Sequence, residues 1–336
     1  MKKLGQLIFL TFSIVFAGCR LLGDNDNKSS FKNAVYANVY FEQLEPGFTP
    51  HGLIAINYNN PKEFKLLGSD TTAFGNIRLS PDGSMISYSD VYATGVGSTP
   101  WLGIYNTQTK TRELLIDKRY DASLVGNSRV GVVWDKDSSG FYYTNPTQAF
   151  DNTHAVWYYD LQTEMASIIK EVREQSIIPI GLMGGDTLIV TSNEFDTLNY
   201  YTMSLEGEYI KRIDNPHLEY VVIDGIRKKG FSEVSWNDSL KLFAGSYNDN
   251  AEFDRFKIAV TDLEGDVFKE FTNGEYRNTH PRWTRDGKII FAEQRDLTKP
   301  HVDSELKLLD PETSEITDFF SEEQYPEITG VGNADQ

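Results

Sequence analysis

Apolar and polar residues alternate with a period of two in short runs along the chain, the pattern of half-buried β-strands rather than of helices. The stretch 256–291 shows the unit. Phe256, Ile258 and Val260 alternate with polar neighbours, Asp262-Leu263-Glu264-Gly265-Asp266 turns the chain, and a second run passes through Val267, Phe268 and Phe271. After a polar gap, Pro281-Arg282-Trp283 leads into Thr284-Arg285-Asp286-Gly287 and out through Ile289, Ile290 and Phe291. Four short strands therefore follow one another as two hairpins, with nothing helical between them.

Both hairpins recur. The first returns at 53–67, 102–115, 155–169, 199–213 and 305–319, which makes six copies whose turns start at Tyr58, Asn106, Asp160, Ser204, Asp262 and Asp310. The second is found five times, at 77–89, 130–144, 179–192, 234–246 and 281–293. A four-stranded repeat with a period of about 44 to 58 residues predicts an all-β chain folded as a six-bladed β-propeller of four-stranded antiparallel blades. The missing inner hairpin predicts how the ring closes. Val35 to Phe41 supplies one inner strand of blade 1, and 327–331, one period after Trp283, supplies the other, so that N- and C-terminal strands pair and hide two sheet edges. Stability is then expected to depend on the last ten residues.

The N-terminus has a different pattern. Met1-Lys2-Lys3 precedes an apolar run from Leu7 to Val15 that is too short to span a bilayer, and Phe16-Ala17-Gly18-Cys19 ends it. These residues resemble a bacterial lipoprotein signal, in which the cysteine becomes the acylated first residue, although Phe16 stands where leucine is usual. The expected division is a signal peptide at 1–18, a flexible Gly-, Asn-, Asp- and Ser-rich tether at 19–33 from lipidated Cys19, and a single propeller at 34–336. The address this implies is the bacterial cell envelope, anchored by lipid to the outer membrane. Cys19 is the only cysteine, so no intrachain disulfide is possible.

Charge narrows the partners. With 32 basic and 49 acidic side chains the net charge is -17, or about -19 without residues 1–18. Such a surface repels phosphate backbones and anionic headgroups, which argues against nucleic acid and leaves the lipid as the membrane contact. A monomer without cofactor is expected.

Several conspicuous residues have structural explanations. The Asp-Gly pairs at 82–83 and 286–287 fit two-residue hairpin turns, which select residues tolerating positive φ, better than calcium loops. Trp134, Trp236 and Trp283 fall at one equivalent place before the inner turn, as residues packed between blades do. Arg227-Lys228-Lys229 reads as a solvated loop, and Gly95 and Gly97 lack the strand-turn-helix context of a dinucleotide site. The inner hairpins carry Ser80-Pro81-Asp82-Gly83 in full and Arg285-Asp286-Gly287 in part, and they resemble the repeats of TolB-type propellers. That resemblance implies a binding or scaffolding module for a protein, peptide or glycan. The alternative is a resemblance to propeller lyases of acidic sugars, whose channel histidines hold a divalent metal. Here His51, His154, His217, His280 and His301 come singly, without His-x-His spacing, so no metal ligands and no catalytic residues are assigned. No Gly-x-Ser-x-Gly elbow marks a hydrolase.

Antiparallel blades sort their connections by face. The tight turns lie at one end, and the long loops at 90–101, 145–154, 193–198, 247–255 and 293–304 lie at the other, where binding residues usually reside. The channel mouth on that face is expected to gather Trp101, His154, Arg255, Tyr276, Arg277, His280, Arg295 and His301, a mixture of aromatics and cations suited to an acidic peptide or an acidic sugar.

Overall fold

A computed structural model describes residues 33–41, 51–70, 74–90, 101–119, 122–124, 131–146, 154–173, 176–193, 198–218, 221–223, 226–248, 255–297, 304–321 and 328–336. Cys19, the tether up to Lys32 and His301 lie outside them. The strands make six antiparallel blades in a ring. From the axis outward, blade 1 is β27 (Ile328–Asp335), β1 (Ala34–Phe41), β2 (His51–Asn57) and β3 (Phe64–Asp70). Blade 2 is β4 (Phe74–Leu79), β5 (Met85–Asp90), β6 (Trp101–Asn106) and β7 (Thr111–Leu114); blade 3 is β10 (Val133–Trp134), β11 (Gly140–Pro146), β12 (His154–Asp160) and β13 (Met165–Val172). Blade 4 is β14 (Ile177–Met183), β15 (Thr187–Ser192), β16 (Asn199–Ser204) and β17 (Tyr209–Ile213). Blade 5 starts from β19 (Ile226–Asn237), β20 (Leu242–Asn248), β21 (Lys257–Asp262) and β22 (Phe268–Glu270), and adds a short fifth strand, β18 (Val221–Ile223), inside β19. Blade 6 is β23 (Arg277–Trp283), β24 (Ile289–Gln294), β25 (Ser304–Asp310) and β26 (Glu315–Phe320), and a two-stranded ribbon, β8 (Ile116–Asp117) with β9 (Ala122–Ser123), links blades 2 and 3.

The ring closes as expected, with β27 antiparallel to β1 and longer than the sequence suggests: Phe41 lies opposite Ile328, Val39 opposite Val331 and Tyr36 opposite Asp335. The N-terminal part of the chain thus gives three strands of blade 1 and the C-terminal part gives the innermost one.

Because each blade has two faces and a neighbour on each, its apolar residues pack sideways and the core is divided among the blade interfaces. Val35, Ile54 and Ile56 of blade 1 meet Ile290, Leu306 and Phe320 of blade 6. Blade 3 sets Trp134, Phe141 and Tyr143 against Leu102 and Leu115, and blade 5 sets Phe231 and Phe243 against Ile189 and Tyr200. Two of the equivalent tryptophans tie these layers directly. Trp134 Nε1 donates to the Arg78 carbonyl of blade 2 at 3.1 Å, and Trp283 Nε1 to the Ser235 carbonyl of blade 5 at 3.2 Å. Trp236 packs so closely on Gly181 of blade 4 that a Cβ there would lie 2.7 Å from its own.

The outer turns repeat one chemistry. Asn106, Asp160 and Asp310 each accept the backbone N–H of the residue four further on at 2.8 Å, and their side chains cap N–H groups inside the turn. The inner turns depart from the sequence expectation. At Ser80 to Met85 the hairpin is longer than two residues, with Ser80 N–H on the Met85 carbonyl and Gly83 N–H on the Ser80 carbonyl, both 2.8 Å. Within the two Asp-Gly turns only Gly83 and Gly287 take positive φ (74° and 80°), and the aspartates keep ordinary backbone angles. Their carboxylates serve the turns instead: Asp82 accepts from Ser80 Oγ at 2.6 Å, and Asp286 from Thr284 Oγ1 at 2.5 Å and Tyr58 Oη at 2.9 Å.

Asp117 fastens blade 2 to blade 3. Buried in the linking ribbon, it accepts from Arg119 N, Nε and Nη2 and from Ala166 N of β13, at 2.7 to 3.2 Å. Burial alone raises its pKa, but these donors outweigh burial and hold it below the usual carboxylate range. A depressed folded pKa gives stability that is complete above the unfolded value, about pH 4, and is lost as pH falls through the folded one. Asp117→Asn is therefore expected to cost about 2 kcal/mol at neutral pH, because it loses charge and sets an amide against donors. Chemical denaturation from pH 7 to pH 3 should show a smaller acid loss in the variant than in the parent.

Candidate functional site

The blades leave a cavity of about 1110 Å³ along the axis of the ring. Its wall is made largely by β4, β10, β14, β19 and β23 with the end of β27, and in β4, β14, β19 and β23 the pairing register shifts at the same level. Such a bulge re-aims side chains. Asn76, Glu233 and His280 occupy equivalent bulge positions with φ of 48°, 53° and 54°, a left-handed conformation that Asn and His adopt more readily than Glu. All three line the cavity, together with Arg78, Arg277, Arg282 and Asp335.

Strand direction orders these residues by depth. β23 runs from the long-loop end to the tight-turn end, so Arg277 lies near the long-loop mouth, His280 midway, and Arg282 in the tight-turn half. Arg78, next to last in β4, and Asp335, opposite Tyr36 near the start of β1, share that lower half.

Glu233 and His280 form the middle of the wall. The His280 backbone N–H donates to Glu233 Oε2 at 2.8 Å, its Nε2 lies 3.3 Å from Glu233 Oε1, and Ser246 Oγ lies 3.4 Å from Glu233 Oε2. Burial works against the Glu233 carboxylate, but His280, its backbone N–H, Arg282 and Arg277 outweigh it and keep the group ionised. For His280, burial exceeds the pull of Glu233, and Arg282, Arg78 and Arg277 push the same way, so the ring is neutral at pH 7. Its Nδ1 is buried without a hydrogen-bond partner.

Below them lie two guanidinium groups. Arg78 Nη1 donates to the Ile77 carbonyl and Arg282 Nη1 to the Pro281 carbonyl, each at 2.7 Å. Asp335 and Glu233 attract both through space, and Asp335 is itself engaged by the Leu79 backbone N–H at 3.3 Å. Burial, and then repulsion by Arg282, lower Arg78 to about 9, which leaves it cationic at neutral pH. Arg282 is only 6% exposed, and its Nε is buried with no partner. An unmet buried donor costs about 1–3 kcal/mol, and a bound acceptor removes that cost.

Comparison with solved structures places this geometry in a known fold. The TolB of Acinetobacter baumannii superposes with a TM-score of 0.65 at 13% identity, covering 91% of this chain and 67% of that one. A putative TolB from Agrobacterium tumefaciens gives 0.59 at 11% identity, covering 87% and 90%. The chain has the TolB-type six-bladed β-propeller fold. The β-propeller domain of the Trilobed protease from Pyrococcus furiosus, described as having an open velcro topology, also matches at 0.55 and 12% identity over 87% of this chain and 96% of that domain. In the TolB-type propeller described above, by contrast, β27 and β1 close the ring. No family model matches the sequence, and no curated protein matches it.

The TolB-type ring gathers some of the residues expected at the mouth and spreads others. Tyr276, Arg277 and Arg295 meet on blade 6, with the Arg295 guanidinium 5.7 Å from the Tyr276 ring centre. Arg295 is also held by Glu293 at 3.1 Å and Glu305 at 3.4 Å. Arg255 precedes Phe256, which bridges to Arg277 and lines the cavity. Trp101 and His154 begin the third strands of blades 2 and 3, two strands outward from the wall. Arg277 and His280 lie inside β23 rather than ahead of it, because the bulge lets the strand continue through Pro281. Among the described residues no three His, Cys, Asp or Glu side chains come together as metal ligands, and His217 stacks on Phe268 at 4.0 Å.

Sequence reasoning missed Arg78, Arg282, Glu233 and Asp335. A signal for the first two was present: Arg78 and Arg282 stand two residues before Ser80 and Thr284 in the two best-preserved copies of the inner hairpin. Nothing comparable marks Glu233 or Asp335, whose place depends on a bulge and on ring closure.

Proposed function

We propose that the chain is an envelope-anchored binding module, in which a rigid ring holds an acidic segment of a partner protein or peptide at the long-loop mouth of its channel. The observation that carries this reading is a cationic and aromatic wall on a chain of net charge -17. Arg277, beside Tyr276 in the chain and on the same blade as Arg295, supplies paired donors and area. The acidic exterior disfavours adhesion of acidic segments elsewhere, so the mouth gains selectivity. Arg255, Trp101 and His154 extend the surface outward. The TolB-type fold supports a module whose function resides in its loops and channel.

The leader pattern and Cys19 support acylation there, with 19–33 as the tether. Cys19→Ser is expected to move the protein out of the membrane fraction or leave its precursor uncleaved, and unchanged retention with normal processing would refute the anchor. For the mouth, Arg277→Ala combined with His280→Asn, which suits a left-handed position, is expected to weaken binding of a synthetic glutamate-rich peptide about tenfold at an unchanged unfolding midpoint. Unchanged affinity would overturn the reading.

A further inference from the structure

We propose that Arg78 and Arg282 form a carboxylate-binding site in the tight-turn half of the channel, taking an acidic side chain or the terminal carboxylate of a peptide. The inference rests on the reading of the ring as a peptide-binding module and adds the group that is recognised.

The two arginines are placed by the repeat itself. Each stands two residues before the inner turn, in blades 2 and 6, which flank the closing strand β27. Each folds Nη1 onto the preceding carbonyl at 2.7 Å, so both guanidinium groups are held by their own strands in the same way. The equivalent positions in blades 3, 4 and 5 are Val133, Gly181 and Ser235, so the cationic pair belongs to one side of the ring.

Arg282 then points to a missing partner. It is nine-tenths buried, lines the cavity, and carries an Nε–H that meets no acceptor. A guanidinium has five donors in a fixed plane, and one bond to a carbonyl uses only one of them. The edge bearing Nε and an Nη is the one that carboxylates engage with two parallel hydrogen bonds.

Charge selects the ligand further. Arg78, Arg277, Arg282 and Arg285 line the cavity against Glu233, Asp238 and Asp335, and burial raises the Asp335 carboxyl above the usual carboxylate range, so the cavity carries an excess of positive charge. Two of the acidic groups already accept backbone N–H groups, Glu233 from His280 and Asp335 from Leu79. A carboxylate reduces that excess and matches the planar guanidinium edge.

The test uses the folded protein with isotope-labelled arginine and follows the Nε–H resonances of Arg78 and Arg282 by NMR. The probes are a doubly blocked Gly-Gly-Glu-Gly-Gly peptide, its Gln analogue, the Gln analogue with a free C-terminal carboxylate, a galacturonate trimer and inorganic phosphate. The expected result is that the Glu peptide or the free-terminus peptide shifts both resonances, with affinity at least about tenfold above that of the blocked Gln peptide. The Glu peptide alone identifies a side chain as the source, and the free-terminus peptide alone identifies a chain end. Arg282→Lys keeps the charge but not the fork, and should abolish the preference. If that variant unfolds, the titration of the parent protein decides. Equal affinity for Glu and Gln peptides, shifts with phosphate or galacturonate only, or no shift with any probe overturns the inference. A glutamate-rich peptide that binds through Arg277 without moving the Arg282 resonance also overturns it and leaves the module reading intact.

Discussion

Deleting residues 328–336 is expected to remove about 5 kcal/mol or more of stability, a large part of what a domain possesses. The loss has two sources. β27 pairs with β1 along most of its length, from Phe41 opposite Ile328 to Tyr36 opposite Asp335, and each backbone hydrogen bond contributes about 1 kcal/mol net. Its removal also turns β1, whose Val35, Ala37 and Val39 belong to the core shared with blade 6, into an exposed edge. The unfolding midpoint should fall by about 8 °C or more, or the protein should aggregate. A synthetic peptide with the sequence of residues 328–336, added in excess, should restore part of the loss by mass action. A truncated protein that melts at the parent temperature would show that the tail contributes nothing to the ring.

The second large effect is expected at Trp283. Its side chain is buried between blades 5 and 6 against Ala244, Ile258, Val260 and Phe291, and its indole N–H meets the Ser235 carbonyl. Trp283→Ala removes the largest side chain of that interface and leaves a cavity that β-sheet neighbours cannot collapse to fill, at a cost of about 3–5 kcal/mol. The midpoint should drop by about 5–8 °C. Trp283→Phe separates the contributions, since it keeps much of the packing and loses the hydrogen bond, worth about 1 kcal/mol. An alanine variant as stable as the parent would mean that the blades are held together elsewhere.

How much of this was legible in advance differs from residue to residue. Period-two alternation and the repeated turn residues specify strands and hairpins locally, because which side of a strand is buried depends only on parity and a turn only on a few φ angles. Asn106, Asp160 and Asp310 could therefore be recognised as turn starts, and each does cap its turn. The copy number implied six blades, and the unmatched strand at each end of the chain implied closure. The Asp-Gly turns were read one step too simply, because Gly alone takes the positive φ while the aspartate serves as an internal acceptor.

The channel belongs to a different level of information. By itself the sequence determined the strands, the hairpins, the sixfold count, the closing pair and the acidic surface, all of which follow from near-neighbour patterns. Only the tertiary structure decided that Arg78, Arg282, Glu233, His280 and Asp335, which come from four blades, face one cavity. A bulge shifts side-chain direction without changing the alternation on either side of it, and ring closure brings residue 335 beside residue 79, so neither juxtaposition is encoded by residues close together in the chain.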